Sequence, residues 1–317
     1  MASSKKAIYA AILGNLAISI TKFIASAISG STAMFAEGIH SLVDTGNGGL
    51  LLFGINRSKR RPDETHPYGY GKEVYFYTLM VAVLIFGLGG GVSLYEGIKH
   101  VYQPAELGDP TISYLVLSLA IVFEGIVWWI AWKEFKKLRG DESNWSYIRG
   151  SKDPTTFAVL FEDTAALAGL AVALVGIYCA HKFNMPVLDG VASVIIGVIL
   201  CVVASILLYE SKGLLIGEGT HPETITAIRR MTRDDPAVHR VVRALTMHMG
   251  PEQVLLTLDI NFNKDLSSTE LEHAVDRLEH RIRAVHPEVK HIFIEAESFG
   301  ARRVDGKPVG GADDVTK

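Results

Sequence analysis

Sulfur ligands are nearly missing from this sequence. Its 317 residues hold two cysteines, Cys179 and Cys201, both inside apolar runs. No Cys-x-x-Cys occurs, which excludes a disulfide framework, a thioredoxin-like redox site and a thiolate metal site. A surplus of charge of one sign is missing too: 31 Lys and Arg stand against 34 Asp and Glu, a net charge of −3. That balance gives no footing for nucleic acid as a partner. No nucleophile–base constellation, phosphate loop or cofactor motif occurs, so an enzyme is not indicated. The first apolar stretch lacks a small-residue cleavage site and reads as a retained helix, not a signal peptide.

What the chain has in excess is apolar residues, 49 % of the total, with a mean hydropathy of +0.25. That is too apolar for an ordinary soluble protein. Six runs reach the roughly 20 residues that cross a bilayer. They are 7–29, 33–56, 74–98, 111–132, 155–180 and 187–209. Basic residues gather in alternate connections: Lys5 and Lys6 before the first run, Arg57, Lys59, Arg60 and Arg61 after the second, and Lys133, Lys136, Lys137, Arg139, Arg149 and Lys152 between the fourth and fifth. The other side has Lys99 and Lys182. Both termini are therefore expected in the cytoplasm. The lipid bilayer is the surrounding partner, and a bacterial inner membrane is the expected setting.

After about residue 210 the apolar runs shorten and charge becomes frequent. Thr220, His221, Pro222 and Glu223 read as a capping box opening a helix. Residues 238–248 are rich in β-formers, and 254–262 alternate apolar and polar, the period of a half-buried strand. Ser267 with Glu270 caps a second helix, whose Leu271, Val275, Leu278, Ile282 and Val285 have helical spacing. Residues 291–297 read as a last strand. The expected fold is an α-helical membrane protein: six transmembrane helices over 1–210, then a small α+β open-faced sandwich over 211–299. Residues 300–317, rich in Gly and Asp, read as a disordered tail.

The chemistry is expected at 36–49, where Glu37, His40 and Asp44 stand inside the second apolar run with no Lys or Arg beside them. Unpaired carboxylates at membrane depth are costly and mark function. His40 and Asp44, four apart, share a helix face and form a partial divalent-metal site. Asp44 lies 12 residues from the inner end of its span, about 18 Å; Glu162 and Asp163 lie about 11–12 Å along the fifth. The two spans run antiparallel, so these carboxylates are expected to meet near the midplane. Asn47, on the face of Asp44, is a weaker oxygen candidate. Asn15 and Glu124 suit packing or proton relay, and Lys22 is expected to pair with a carboxylate or to snorkel. Gly38, Gly46, Gly48 and Gly49 are expected to let neighbouring helices approach.

Three motifs carry a resemblance: Glu37-Gly38-Ile39-His40-Ser41-Leu42-Val43-Asp44, His66-Pro67-Tyr68-Gly69-Tyr70-Gly71-Lys72 and Phe161-Glu162-Asp163-Thr164. Together they resemble the cation diffusion facilitator family, which exports zinc and related divalent metals in exchange for protons. The Glu-Asp pair is similar to the zinc-transporter branch that includes the mitochondrial member. The resemblance implies a transport site of His40, Asp44 and Asp163. Val159 stands where a histidine is usual, and Glu162 is either the substitute ligand or a packing residue. It implies Zn²⁺ as the transported ion, with Mn²⁺, Fe²⁺, Co²⁺ or Cd²⁺ as alternatives, and protons as counter-ion. It implies a metallochaperone-like C-terminal domain that forms a homodimer. Asp63 and His66 partly match a second metal site in the inner loop, but Tyr70 replaces a histidine, and an ordered turn is the favoured reading. In the C-terminal domain His248, Glu295 and Glu297 are weaker metal candidates, solvated carboxylates being the favoured reading. The competing class is a membrane metal sensor or non-transporting partner subunit.

Overall fold

A computed structural model describes residues 2–104, 108–139, 154–296, 303–304 and 307–308. Contacts divide the chain into two units: Met1–Lys59 with Glu73–Lys212, and Arg60–Lys72 with Gly213–Lys317.

The first unit is helical. Its rods are α1 (Ala2–Ser29), α2 (Thr32–Ser58), a composite of α3 (Glu73–Leu84), a π-helical stretch (Ile85–Gly91) and α4 (Val92–Tyr102), then α5 (Thr111–Arg139), α6 (Pro154–Phe183) and α7 (Val187–Ile216). Pro110 and Pro186 stand before helices and Pro154 opens one, where a missing N–H costs nothing. Among the described residues, four stretches are long and apolar enough to cross a membrane: Glu73–Tyr102, Thr111–Lys137, Ala158–Phe183 and Val187–Ile216. In α1 the apolar helix among residues with described side chains is Asn15–Ser29. α2 has the length but is too polar to qualify, because it carries Glu37, His40, Asp44, Asn47 and Arg57 along with several glycines.

Small residues set the close crossings, though not where the sequence pointed. A Cβ on Gly97 would stand 2.7 Å from the Val194 nitrogen, and one on Gly197 would stand 2.8 Å from the Leu94 nitrogen. The composite rod and α7 therefore meet backbone to backbone, and Ser193 Oγ donates to Ser93 O at 3.0 Å across the seam. Of the four glycines beside His40 and Asp44, Gly38 is packed against the Phe23 ring, whereas a Cβ added at Gly46, Gly48 or Gly49 would meet no described atom of another segment within 4 Å. That expectation is corrected: these three glycines make no close helix crossing among the described residues.

The second unit holds α8 (Pro222–Arg233), β1 (Val238–Gly250), β2 (Gln253–Phe262), α9 (Ser268–Val285) and β3 (Val289–Ala296). The sheet order is β1-β2-β3, with β1 antiparallel and β3 parallel to β2. Val254, Leu256, Leu258 and Ile260 alternate onto one face and pack with Ile228 of α8 and with Ala274, Leu278 and Ile282 of α9. Both helices thus share one face of the sheet. Ser267 and Glu270 form the expected capping box. The first expected box does not form: His221 is the N-cap without a side-chain bond, and the Thr220 amide donates instead to Thr246 Oγ1 at 3.0 Å. Pro222 presets the first turn, so that helix starts without a side-chain cap. In the tail, β4 (Arg303–Val304) pairs antiparallel with β5 (Lys307–Pro308); the rest of 297–317 lies outside the described residues.

Candidate metal centre

The helix that carries His40 and Asp44 is fixed at its start from far along the chain. Ser31 Oγ caps Met34 N at 3.1 Å. Asp189, fully buried in the first turn of α7, accepts from Ser31 Oγ at 2.6 Å, Thr32 N at 2.6 Å and Thr32 Oγ1 at 2.9 Å. A carboxylate at a helix N-terminus meets free N–H groups and the positive end of the dipole. Sequence reading missed Asp189; an acidic residue opening an apolar span just after Pro186 was the available signal.

One turn before the His40–Asp44 pair, Lys22 reaches in from α1. Its Nζ stands 3.0 Å from Glu37 Oε2 and donates to Ser41 Oγ at 2.8 Å. Both charged side chains are buried, at 1 % and 0 % exposure. Lys22 therefore pairs and does not snorkel, and Glu37 is bound to Lys22, not to the His40 ring.

His40 Nδ1 lies 3.4 Å from Asp44 Oδ1, too poorly aligned for a hydrogen bond. Across from them, Asn47 Nδ2 donates to Glu162 Oε1 of α6 at 2.5 Å. The Glu162 and Asp44 carboxyls lie close enough to interact electrostatically. Several buried atoms of this layer have no hydrogen-bond partner: both ring nitrogens of His40, Asp44 Oδ1, Asn47 Oδ1, Asp163 Oδ2 and Glu37 Oε1. Each such atom would cost about 1–3 kcal/mol if left unpaired, so this cluster is a place where water, protons or an ion can bind.

The rotation of α6 bears on the open question at Glu162. Its buried face runs through Ala158, Glu162, Ala165, Ala166 and Leu170, while Val159 is 39 % exposed. Glu162 therefore faces α2. Asp163, about 100° further round the helix, is partly buried and interacts electrostatically with Glu162 and with Glu124 of α5. Glu124 also acts electrostatically on Glu37 and Asp44, so a further carboxylate borders the cluster. As the side chains stand, no three His, Cys, Asp or Glu among the described residues enclose a common point.

The weaker candidates separate. Asp63 Oδ1 accepts from the Thr65 and His66 amides at 3.0 and 2.8 Å, and Oδ2 accepts from the Tyr70 hydroxyl at 2.6 Å. These bonds, Tyr70 first, hold the Asp63 carboxyl well below the usual carboxylate range. The His66 ring lies against Tyr70 at 4.2 Å. This is an Asx turn with its acceptors in use. His248 is buried on the helix side of the sheet, opposite Val254, while Glu295 is opposite Asp259 and points to the open face. Five residues of strand, about 17 Å, separate the two rows. Within one chain His248 and Glu295 do not meet. Glu297 lies outside the described residues.

Comparison with known proteins matches residues 8–216 to the cation efflux transmembrane domain. The chain belongs to the cation efflux family. These are the cation diffusion facilitators. It is 29 % identical over 313 residues to the human "Proton-coupled zinc antiporter SLC30A9, mitochondrial", an alignment that takes in 86 % of this chain and 55 % of the relative. It is 30 % identical over 262 residues to "Metal tolerance protein C4" of Arabidopsis thaliana, covering 82 % of this chain and 57 % of that protein. A third relative is "Magnetosome protein MamM" of Paramagnetospirillum magneticum, 26 % identical over 242 residues, with 75 % and 71 % covered. The chain thus spans little more than half the length of the first two. Cation efflux proteins are transporters and not enzymes, and the chain is an integral membrane protein.

The Lys22–Glu37 pair gives a test of this polar layer. Lys22→Ala strands a buried carboxylate and should lower the stability of the helical unit by roughly 3–5 kcal/mol. Lys22→Met combined with Glu37→Leu should recover most of that loss in thermal unfolding. A single variant as stable as the parent would contradict the pairing.

Proposed function

We propose that the chain is a secondary transporter that moves a divalent metal, Zn²⁺ first, out of the cytoplasm in exchange for protons. The site is His40, Asp44 and Glu162, with Asp163 completing the set and Asn47 orienting Glu162. The observation that carries this reading is the buried, partnerless donor cluster where Asp44 of α2 meets Glu162 of α6. The name of the human relative, a proton-coupled zinc antiporter, supports it.

The donor chemistry supports it as well. An ion needs neutral imidazole and ionised carboxylate, so binding it displaces protons from these ligands. Protons arriving from the far side compete for the same ligands and release the ion. One imidazole with carboxylates and no thiolate suits Zn²⁺. Carboxylates in the majority keep Mn²⁺, Fe²⁺, Co²⁺ and Cd²⁺ as competing cargo. The basic connections support a cytoplasmic position for both termini. The expected bacterial inner membrane gains no support from relatives named as mitochondrial. A sensing role with metal held by the C-terminal unit has less behind it, since His248 and Glu295 stand apart.

The C-terminal unit supports homodimerisation. The sheet face opposite the helices carries Leu245, Thr257 and Phe293 in one row, with Leu245 and Phe293 about half exposed. An apolar row on an open sheet face is a surface for burial against a second copy.

Zinc uptake into inside-out vesicles tests the site. Asp44→Ala should abolish uptake, and Glu162→Ala should reduce metal affinity at least about tenfold. Uptake at the parental rate by Asp44→Ala protein of normal yield would sink the assignment. Light scattering on purified Phe293→Glu protein should show dissociation toward the monomer; an unchanged mass would remove that face as the interface.

A further inference from the structure

At the end of the helical unit opposite the basic connections, His181 sits in the last turn of α6 between two carbonyl groups. Its Nδ1 faces Ile177 O at 2.9 Å and its Nε2 faces Gly108 O at 3.0 Å. Carbonyl oxygens only accept. A neutral imidazole carries one N–H and satisfies one of these contacts, whereas an imidazolium donates to both. Gly108 is itself seated: its N–H donates to Ser29 O, the last residue of α1, at 2.9 Å. A Cβ there would stand 2.7 Å from Ile28 O, so the strand of chain leading into α5 fits against α1 only as glycine.

We propose that His181 is a proton-binding site at this end of the bundle, and that its protonation latches the end of α6 to the α1–Gly108 junction. The latch is complete with the imidazolium, which donates to both carbonyls, and loses one of its two bonds in the neutral ring. Its place in a transport cycle rests on the exchange reading above: protons arriving from this side would close the mouth behind a departing metal. The latch itself needs no transport.

The charges around the ring are compatible with this role. Asp109, next to Gly108, attracts His181 electrostatically while its carboxylate accepts from Thr111 N and Oγ1 at 2.9 and 2.6 Å. On α6 itself Lys182 is turned over the Tyr178 ring at 5.3 Å. Tyr114 of α5 interacts with Tyr178 and Cys179. The end of α1 brings Ser26 and Ser29 and no charge. Asp189 of α7 is engaged by α2. Glu106 lies outside the described residues.

Amide hydrogen exchange on the full-length protein in lipid nanodiscs tests the latch. Rates are compared at about pH 5.5 and about pH 8 after correction for intrinsic exchange. The parent protein should protect peptides covering Gly108 and His181 more at the lower pH. The expected change is roughly tenfold, that of one charge-assisted hydrogen bond. His181→Gln, which keeps one donor but does not titrate, should abolish the pH dependence. Asp44→Ala should retain it, separating the latch from the metal site. A parent without pH-dependent protection, or a His181→Gln variant with the parental dependence, would overturn the proposal.

Discussion

Charge in the middle of a bilayer persists only where a counter-charge, a proton or a bound ion cancels it. This constraint organises the helical unit. Lys22 answers one carboxylate, Glu37, and the pair leaves Asp44, Glu162, Asp163 and Glu124 without a fixed cation among the described residues. Asp44 and Glu162 settle against each other and Asn47. Such a layer is poorly served by water or lipid, but it can hold protons or a divalent ion by turns. An exchanger needs that alternation, and in the proposed function the partnerless atoms of His40, Asp44 and Asp163 are where the ion would complete the bonding.

The layer works only if α2 and α6 are held in register. α2 is fixed at its start by Asp189 and along its length by Lys22. α6 is fixed to α5 by Trp128 Nε1, which donates to Thr164 Oγ1 at 3.0 Å, one residue past Asp163. The Trp128, Trp132 and Phe135 rings then stack along α5 at 5.6 and 5.7 Å. The composite third rod and α7 form a glycine-lined seam with little room for sliding. The fasteners at the His181 end differ from the rest: they pass through an imidazole, the side chain whose charge changes most readily near neutrality.

Much of this was legible in the sequence because its signals are local. Hydrophobic run length gave the rods, the i,i+4 spacing gave His40 beside Asp44, and the alternation over 254–262 gave the central strand. Ser267 with Glu270 was readable as a cap because both partners lie within one turn. What was not legible depends on contacts between distant segments or on helix rotation. Asp189 caps a helix 157 positions away in sequence. The choice between Glu162 and Asp163 depends on which face α6 turns to α2, and two adjacent acids carry no signal for that. Glycines near the site suggested close packing there, yet the close crossings use Gly97 and Gly197, because helix approach depends on which glycines face a partner. At Thr220 the local pattern misled: a proline-started helix needs no box, and the Thr220 amide finds Thr246 instead.

The central claim is that one ion binds between α2 and α6 at the layer of Asp44. A structure of the zinc-soaked full-length protein, with an anomalous difference map at the zinc edge, tests it most directly. The account predicts a peak within about 2.0–2.2 Å of one His40 ring nitrogen and of carboxylate oxygens from Asp44 and Glu162. A zinc peak confined to the C-terminal unit, with none beside Asp44, would contradict it.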